Sequence, residues 1–256
     1  MNHLHTALWG VLPYLTTMLL VAGSAWRYHY DRFGFTTRSS QLHESALLRL
    51  GSPLFHYGLL FVIAGHLTGL LIPETFTEYV HIHEWLYHLN ALAIGGVAGL
   101  VTTAGLAVLV HRRLSVPAVR AAGLRSDRVV HPLLAATLVA GLAATATTTG
   151  DHPYDYRQGV SVWFRSLFVL DPDVAAMAHA PFVYQLHTLL GMALFALWPF
   201  SRLVHAFTAP VGYLARPYIV YRSRGRQAAG RPVGGPPVHA GSGRGREKDH
   251  NAVRGR

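Results

Sequence analysis

Five long apolar runs, separated by shorter polar stretches, organise the chain: roughly Leu4–Trp26, Leu50–Ile72, Leu86–Val110, Val129–Thr149 and Phe182–Phe207. A helix needs about 20 mostly apolar residues to cross the hydrocarbon core of a bilayer. All five runs meet that length. The fourth is the weakest, because Thr145, Thr147, Thr148 and Thr149 crowd its end. The pattern predicts an all-α fold: an integral membrane bundle of five transmembrane helices. The stretch from Met1 to Thr6 holds no Lys or Arg, so it lacks the positive n-region of a cleaved signal peptide. The first run is therefore expected to remain as the first transmembrane helix.

The polar stretches alternate in charge. The segment after the first run holds Arg27, Arg32, Arg38 and Arg49, and the one after the third holds Arg112, Arg113, Arg120, Arg125 and Arg128. Eleven more basic residues follow from Arg202 onward, so a five-helix topology collects 20 of the 22 Lys and Arg on one side. The other side has only Arg157 and Arg165, with Glu74, Glu78, Glu84, Asp151, Asp155, Asp171 and Asp173. The positive-inside rule then predicts the N-terminus outside and the C-terminus in the cytoplasm. Residues 1–222 form the expected membrane domain. Residues 223–256 form a basic tail rich in Gly, Pro, Arg and Ser, expected to be disordered because it has little to bury. Its charge suits anionic lipid, a cytoplasmic partner or plain solvation. No aromatic residues are interleaved with it, so nucleic acid is not an expected partner; the lipid bilayer is.

Composition narrows the chemistry. Only 13% of residues are charged and 51% are hydrophobic, whereas soluble domains carry roughly 25% charged residues. The absence of cysteine excludes c-type haem attachment, thiolate-held iron–sulfur clusters and disulfides in this chain.

There are 17 histidines. Most fall in loops or at helix ends. His81, His83 and His88 cluster beside the third run, but without a spacing diagnostic of a metal. Four others lie within apolar runs: His56 and His66 in the second, His187 and His205 in the fifth. An ionisable residue inside a membrane span is costly and marks a functional site by default. A single one is adequately explained by an interhelical hydrogen bond; four are not. The second and fifth helices run in opposite directions, so His66 falls level with His187 on the outer side and His56 with His205 on the inner side. Each pair can clamp one haem iron from both faces.

Helical phase supports this in part. His187 and His205 are 18 residues apart, five turns of about 3.6 residues, on one stripe. His56 and His66 are ten apart, about 80° out of phase, and the two rises differ, at roughly 15 Å and 27 Å. A kink near Pro199 would shorten the longer one. Gly58, Gly65, Gly69 and Gly191 thin the two helices where a flat ring needs close approach. Arg112, Arg113 and Arg202 fall where the propionates of an inner haem would end, a position equally suited to anchoring on lipid headgroups. Ala91, Gly95 and Gly99 give the third helix a small-residue packing face.

Several motifs carry a resemblance. They are Trp26-Arg27-Tyr28 with Arg38-Ser39-Ser40-Gln41, Leu54-Phe55-His56 with Gly65-His66 and Gly69, and Arg112-Arg113-Leu114 with Pro117. The strongest is Leu186-His187, Leu190-Gly191-Met192, Leu194-Phe195 and then Pro199-Phe200-Ser201-Arg202-Leu203-Val204-His205. Together they span roughly residues 10–222. The sequence resembles the gamma subunit of membrane-bound respiratory nitrate reductase, a diheme cytochrome b of the bacterial cytoplasmic membrane. The resemblance implies that His56, His66, His187 and His205 are the axial ligands of two b-type haems, paired as above. It implies quinol oxidation near the outer haem; Gly65, His66, Gly69, Glu84 and His88 are the candidate pocket residues. Electrons would pass inward to a cytoplasmic iron–sulfur (beta) subunit and a molybdenum catalytic (alpha) subunit that reduces nitrate. Family members can carry a lysine at the start of the third helix; here Leu86 stands there, with His83 and His88 nearby. The alternatives are a quinol-oxidising cytochrome b of another cytoplasmic reductase, such as the heterodisulfide-reductase-like type, and a haem-free anchor or transporter. The absence of internal repeats speaks against a transporter.

Overall fold

In the computed structural model, which describes residues 3–31, 43–148 and 154–208, five helices are long and apolar enough to cross a membrane. They are His3–Tyr30, Ala46–Leu71, Glu84–Ser115, Asp127–Ala146 and Phe182–Phe200, called here the first to fifth helices. Each falls on one of the five apolar runs, and no strand occurs among the described residues. The chain is an all-helical, multi-pass membrane protein. The described residues belong to one compact unit, Met1–Ala209. The basic tail expected over residues 223–256 lies outside the described residues.

The second helix packs on the third, the third on the fourth, the fourth on the fifth and the fifth on the first. The second and fifth helices thus stand on either side of the third–fourth pair, with only slight backbone contact between them.

Glycine closes the crossing of the second and third helices. A Cβ on Gly58 would lie 2.5 Å from Thr102 Oγ1 and 2.8 Å from its backbone nitrogen, and one on Gly105 would overlap the backbone of Phe55. Such close approach of backbones gives van der Waals contact that lipid cannot match. The small-residue face expected at Ala91, Gly95 and Gly99 is different in fact. Only Gly99 of the two glycines packs, against Leu142 of the fourth helix, while Gly95 faces open space. The reason is local: Ala91–Gly95 is a π-helical stretch, whose wider turn shifts the phase so that four-residue spacing no longer marks one face.

Three of the threonines that weakened the fourth run bond back to their own helix end, and Thr149 lies outside the described residues. Thr145 donates to Gly141 O at 3.0 Å, Thr147 to Ala144 O at 2.7 Å and Thr148 to Thr145 O at 2.6 Å. Turned back in this way, each of these three hydroxyls has its donor satisfied by a carbonyl three or four residues earlier.

The fifth run departs most from expectation. A single helix over Phe182–Phe207 does not form. The α-helix ends at Leu197, Trp198–Phe200 is a 3₁₀ turn, Ser201 is extended, and Arg202–Thr208 is again 3₁₀. Pro199 is the cause: it has no N–H to donate, and its ring clashes with the carbonyl four residues back.

The two ends of the bundle differ. At the end bearing Trp9, the short helices Val160–Ser166 and Val174–Ala178 join the core. Trp163 Nε1 donates to Trp9 O at 2.8 Å, and Trp9 and Met177 are wholly buried with Tyr184 and Met192. The other end bears Arg27, Arg112 and Asp127.

Candidate haem sites and the ends of the bundle

The four intramembrane histidines meet as two pairs. The rings of His66 and His187 have centroids 5.8 Å apart, nearer the Trp9 end. Those of His56 and His205 are 6.1 Å apart, nearer the Arg27 end. Two imidazoles whose nitrogens lie about 2 Å either side of one metal ion have ring centres roughly 6 Å apart.

The proton positions also suit ligation. A carbonyl oxygen only accepts, so each Nδ1 that faces one must donate. His56 donates to Ser52 O at 2.8 Å and His66 to Val62 O at 2.8 Å, each one turn back on its own helix. His187 donates to Thr137 O on the fourth helix at 3.0 Å, and His205 to Arg202 O at 2.5 Å. In the neutral ring Nε2 is then the nitrogen with the lone pair, and the Nδ1 bond fixes the ring's orientation. Gly141 completes the seat of His187: a Cβ there would lie 2.9 Å from His187 Cε1.

The 80° phase difference between His56 and His66 is absorbed on the opposite side. His205 follows the break at Pro199, so it is not bound to the stripe of His187 and can turn toward His56. Arg27 holds that break. It donates from Nη1 to Pro199 O at 2.6 Å and to Ser201 O at 2.8 Å.

The residues present fit a haem. Among the described residues no three or more His, Cys, Asp or Glu gather as a metal site. Each pair supplies two ligands, the number required by an iron already held by four porphyrin nitrogens. The helices carrying the pairs do not close on each other, and Gly65 and Gly191 both face open space.

The three arginines singled out for propionates are engaged with carboxylates of the chain itself. Arg112, almost fully buried, pairs through Nε with Glu44 at 2.5 Å, and its Nη2 donates to Glu44 O at 2.6 Å. Arg113 and Arg202 both reach Asp127 Oδ2, at 2.8 Å and 3.1 Å. Asp127 is buried and also accepts from Leu124 N–H. Arg202 is the one directly tied to a paired histidine, through its carbonyl. Burial alone would raise the Glu44 carboxyl; hydrogen bonds from Leu47 N–H and Arg112 outweigh it and hold the group below the ordinary carboxylate range.

At the Trp9 end, the residues expected around quinol differ in exposure. Gly65 is exposed, beside His66. Gly69 is buried, with the ring of Tyr156 at 3.4 Å from where its Cβ would be. Glu84 lies exposed at the start of the third helix, and the side chain of His88 lies outside the described residues. Here the sequence reading missed three residues. Tyr87 donates to Thr68 O at 3.4 Å, and Arg157, buried, lies 4.0 Å from the centre of its ring while donating to Thr77 Oγ1 at 2.7 Å. Burial, with Tyr87 adding to it, pushes the Tyr156 phenol well above its ordinary value, so it stays protonated. The available signal was Arg157 itself, one of two basic residues on the acidic side.

The sequence model of the family described as nitrate reductase gamma subunit matches residues 5–224. The chain belongs to the nitrate reductase gamma subunit family. It is 41% identical over 217 residues to the nitrate reductase gamma chain of Bacillus subtilis, covering 85% of this chain and 97% of that protein. With the respiratory nitrate reductase 2 gamma chain of Escherichia coli it shares 31% identity over 234 residues, covering 87% of this chain and 99% of that one. It is 53% identical over 226 residues, 88% of its length, to the nitrate reductase-like protein NarX of Mycobacterium tuberculosis. The chain spans only 35% of the length of NarX. The gamma-subunit match runs through all five helices and all four paired histidines.

Proposed function

We propose that this chain is the membrane cytochrome b subunit of a respiratory nitrate reductase, oxidising quinol and delivering its electrons to partner subunits in the cytoplasm. The observation that carries the reading is the meeting of two histidine pairs, each ring with Nδ1 donating to a carbonyl, so that in the neutral ring the lone pair lies on Nε2. His66 with His187 would hold one b-type haem and His56 with His205 a second. Bound there, the haems would supply one-electron redox chemistry linking the two ends of the bundle.

The chain's own residues perform the remaining tasks. The distribution of Lys and Arg supports placing the Trp9 end outside and the Arg27 end in the cytoplasm. Quinol would enter beside Gly65 and His66, within reach of the segments carrying Gly69, Glu84 and His88. Tyr87, Tyr156 and Arg157 would shape the same end, and the protonated phenol of Tyr156 is a hydrogen-bond donor there. Arg202, with Arg112 and Arg113 beyond it, would meet the propionates of the cytoplasmic-side haem. The basic face around Arg120, Arg125 and Arg128 suits docking of an iron–sulfur subunit, itself carrying electrons to a molybdenum subunit that reduces nitrate. Such a chain resides in the bacterial cytoplasmic membrane.

Haem quantified as its pyridine complex in the purified chain tests the reading. Two b haems per chain are expected. Absence of haem from well-inserted protein would leave only a structural anchor.

A further inference from the structure

The break that places His205 is held by a residue from another helix. Pro199 interrupts the fifth helix, and the carbonyls of Pro199 and Ser201 lie at the junction between its two 3₁₀ segments. Inside a membrane such groups must be satisfied within the protein. Arg27 satisfies both, through one guanidinium nitrogen at 2.6 Å and 2.8 Å. One turn back on the first helix, Gly23 leaves the space that the Pro199 ring fills: a Cβ on Gly23 would lie 2.9 Å from Pro199 Cγ. Gly23 and Arg27 are four residues apart, on one face, and together fit the broken segment as a socket fits a plug. Ser201 is 2% exposed and Val204 wholly buried, so this segment is seated rather than frayed. His205 follows four residues after the Ser201 carbonyl that Arg27 grips, and its own Nδ1 donates to Arg202 O within the same turn.

We infer that Arg27 is a positioning residue for the His56–His205 pair. By clamping the Pro199 and Ser201 carbonyls it fixes the 3₁₀ turn whose geometry points His205 at His56. It acts through the backbone that carries His205, not as a ligand. The inference rests on the haem reading of the two pairs and adds to it a residue that acts on one pair and not the other. His66 and His187 sit at the far end, seated by Val62, Thr137 and Gly141, and owe nothing to Arg27. A lysine at this position keeps the charge but carries one ammonium on a flexible stem in place of a planar fork, so it holds the two carbonyls less rigidly.

The test uses the full chain in membranes with its partners, comparing wild type with Arg27→Lys and Arg27→Gln. Haem content per chain, the midpoint potentials and the electron paramagnetic resonance signal of each haem are read separately. The expected result is an unchanged His66–His187 component in both variants. The His56–His205 component is shifted in potential and resonance position in Arg27→Lys, and lost or shifted further in Arg27→Gln. An unshifted His56–His205 component in both variants would overturn the inference. So would equal loss of both components in both variants, because Arg27 would then support the bundle as a whole. Wild type lacking two b haems would instead overturn the underlying haem reading, and the inference with it.

Discussion

His187 lies directly over Gly141: the fourth helix has room for the imidazole only because position 141 carries no side chain, a Cβ there falling 2.9 Å from Cε1. The same helix accepts the His187 Nδ1 proton at Thr137 O, 3.0 Å away. These two positions, one turn apart, set the ring's height and its rotation. Gly141→Ala is therefore expected to displace His187 while leaving the His56–His205 pair alone. Resolved redox titration of the two haems checks this. A displaced His66–His187 component beside an unmoved second component is the expected outcome; two unmoved components would show that the ring has slack.

The crossing of the second and third helices has no such local effect. Gly58→Ala brings a methyl to 2.5 Å from Thr102 Oγ1 and 2.8 Å from its nitrogen, and the backbone cannot give way cheaply. Overpacking of this kind costs about 1–3 kcal/mol. Both haem components are expected to be lost together, at a lower temperature than in wild type. Heating detergent-solubilised protein while following the haem band makes the comparison.

Asp127 gathers two arginines. Its side chain is 2% exposed, those of Arg113 and Arg202 are 19% and 24% exposed. Asp127→Asn removes the counter-charge from both. Breaking a buried ion pair on one side costs roughly 3–5 kcal/mol, and the partial exposure of the arginines places this case at the lower end. The measurement is thermal stability, with Asp127→Asn well below wild type and Arg113→Gln nearer to it, since Arg202 still meets the carboxylate.

Glu44 makes the Arg27 end sensitive to acid. Its carboxyl is held below the ordinary value in the folded chain, so the unfolded chain binds the proton more readily. The Glu44–Arg112 link therefore contributes at neutral pH and is lost as pH falls through the ordinary carboxylate range and on through the lowered value. Glu44→Gln is expected to be less stable than wild type at pH 7, with the difference closing on acidification. A difference that grows on acidification would reverse the sign of the effect.

Much of this arrangement was legible in the chain, for reasons that differ by residue. The five helices follow from length and apolarity, which the bilayer enforces. His66 and His187 stand out because a titratable ring in an apolar run needs a reason to be there, and opposite helix directions set them level. His205 was legible as a candidate but not in its placement, since the five-turn stripe assumed a helix that Pro199 interrupts. Gly58, Gly105 and Gly141 were not legible as contacts: a glycine in a membrane helix does not name its neighbour. Arg27 read as one positive charge among many, and only the carbonyls opposite it give it a task. The arginines at 112, 113 and 202 stood out as cations at one end of the bundle, but their pairing with Glu44 and Asp127 could not be read from the chain.

The central claim is that two separate histidine pairs each hold a haem. The most direct measurement is the reduced-minus-oxidised optical spectrum, with haem content, of membranes bearing wild type, His66→Ala and His56→Ala. The account predicts two b-type components in wild type, with His66→Ala and His56→Ala each removing a different one. Both variants retaining both components, or wild-type protein well inserted but without haem, would contradict it.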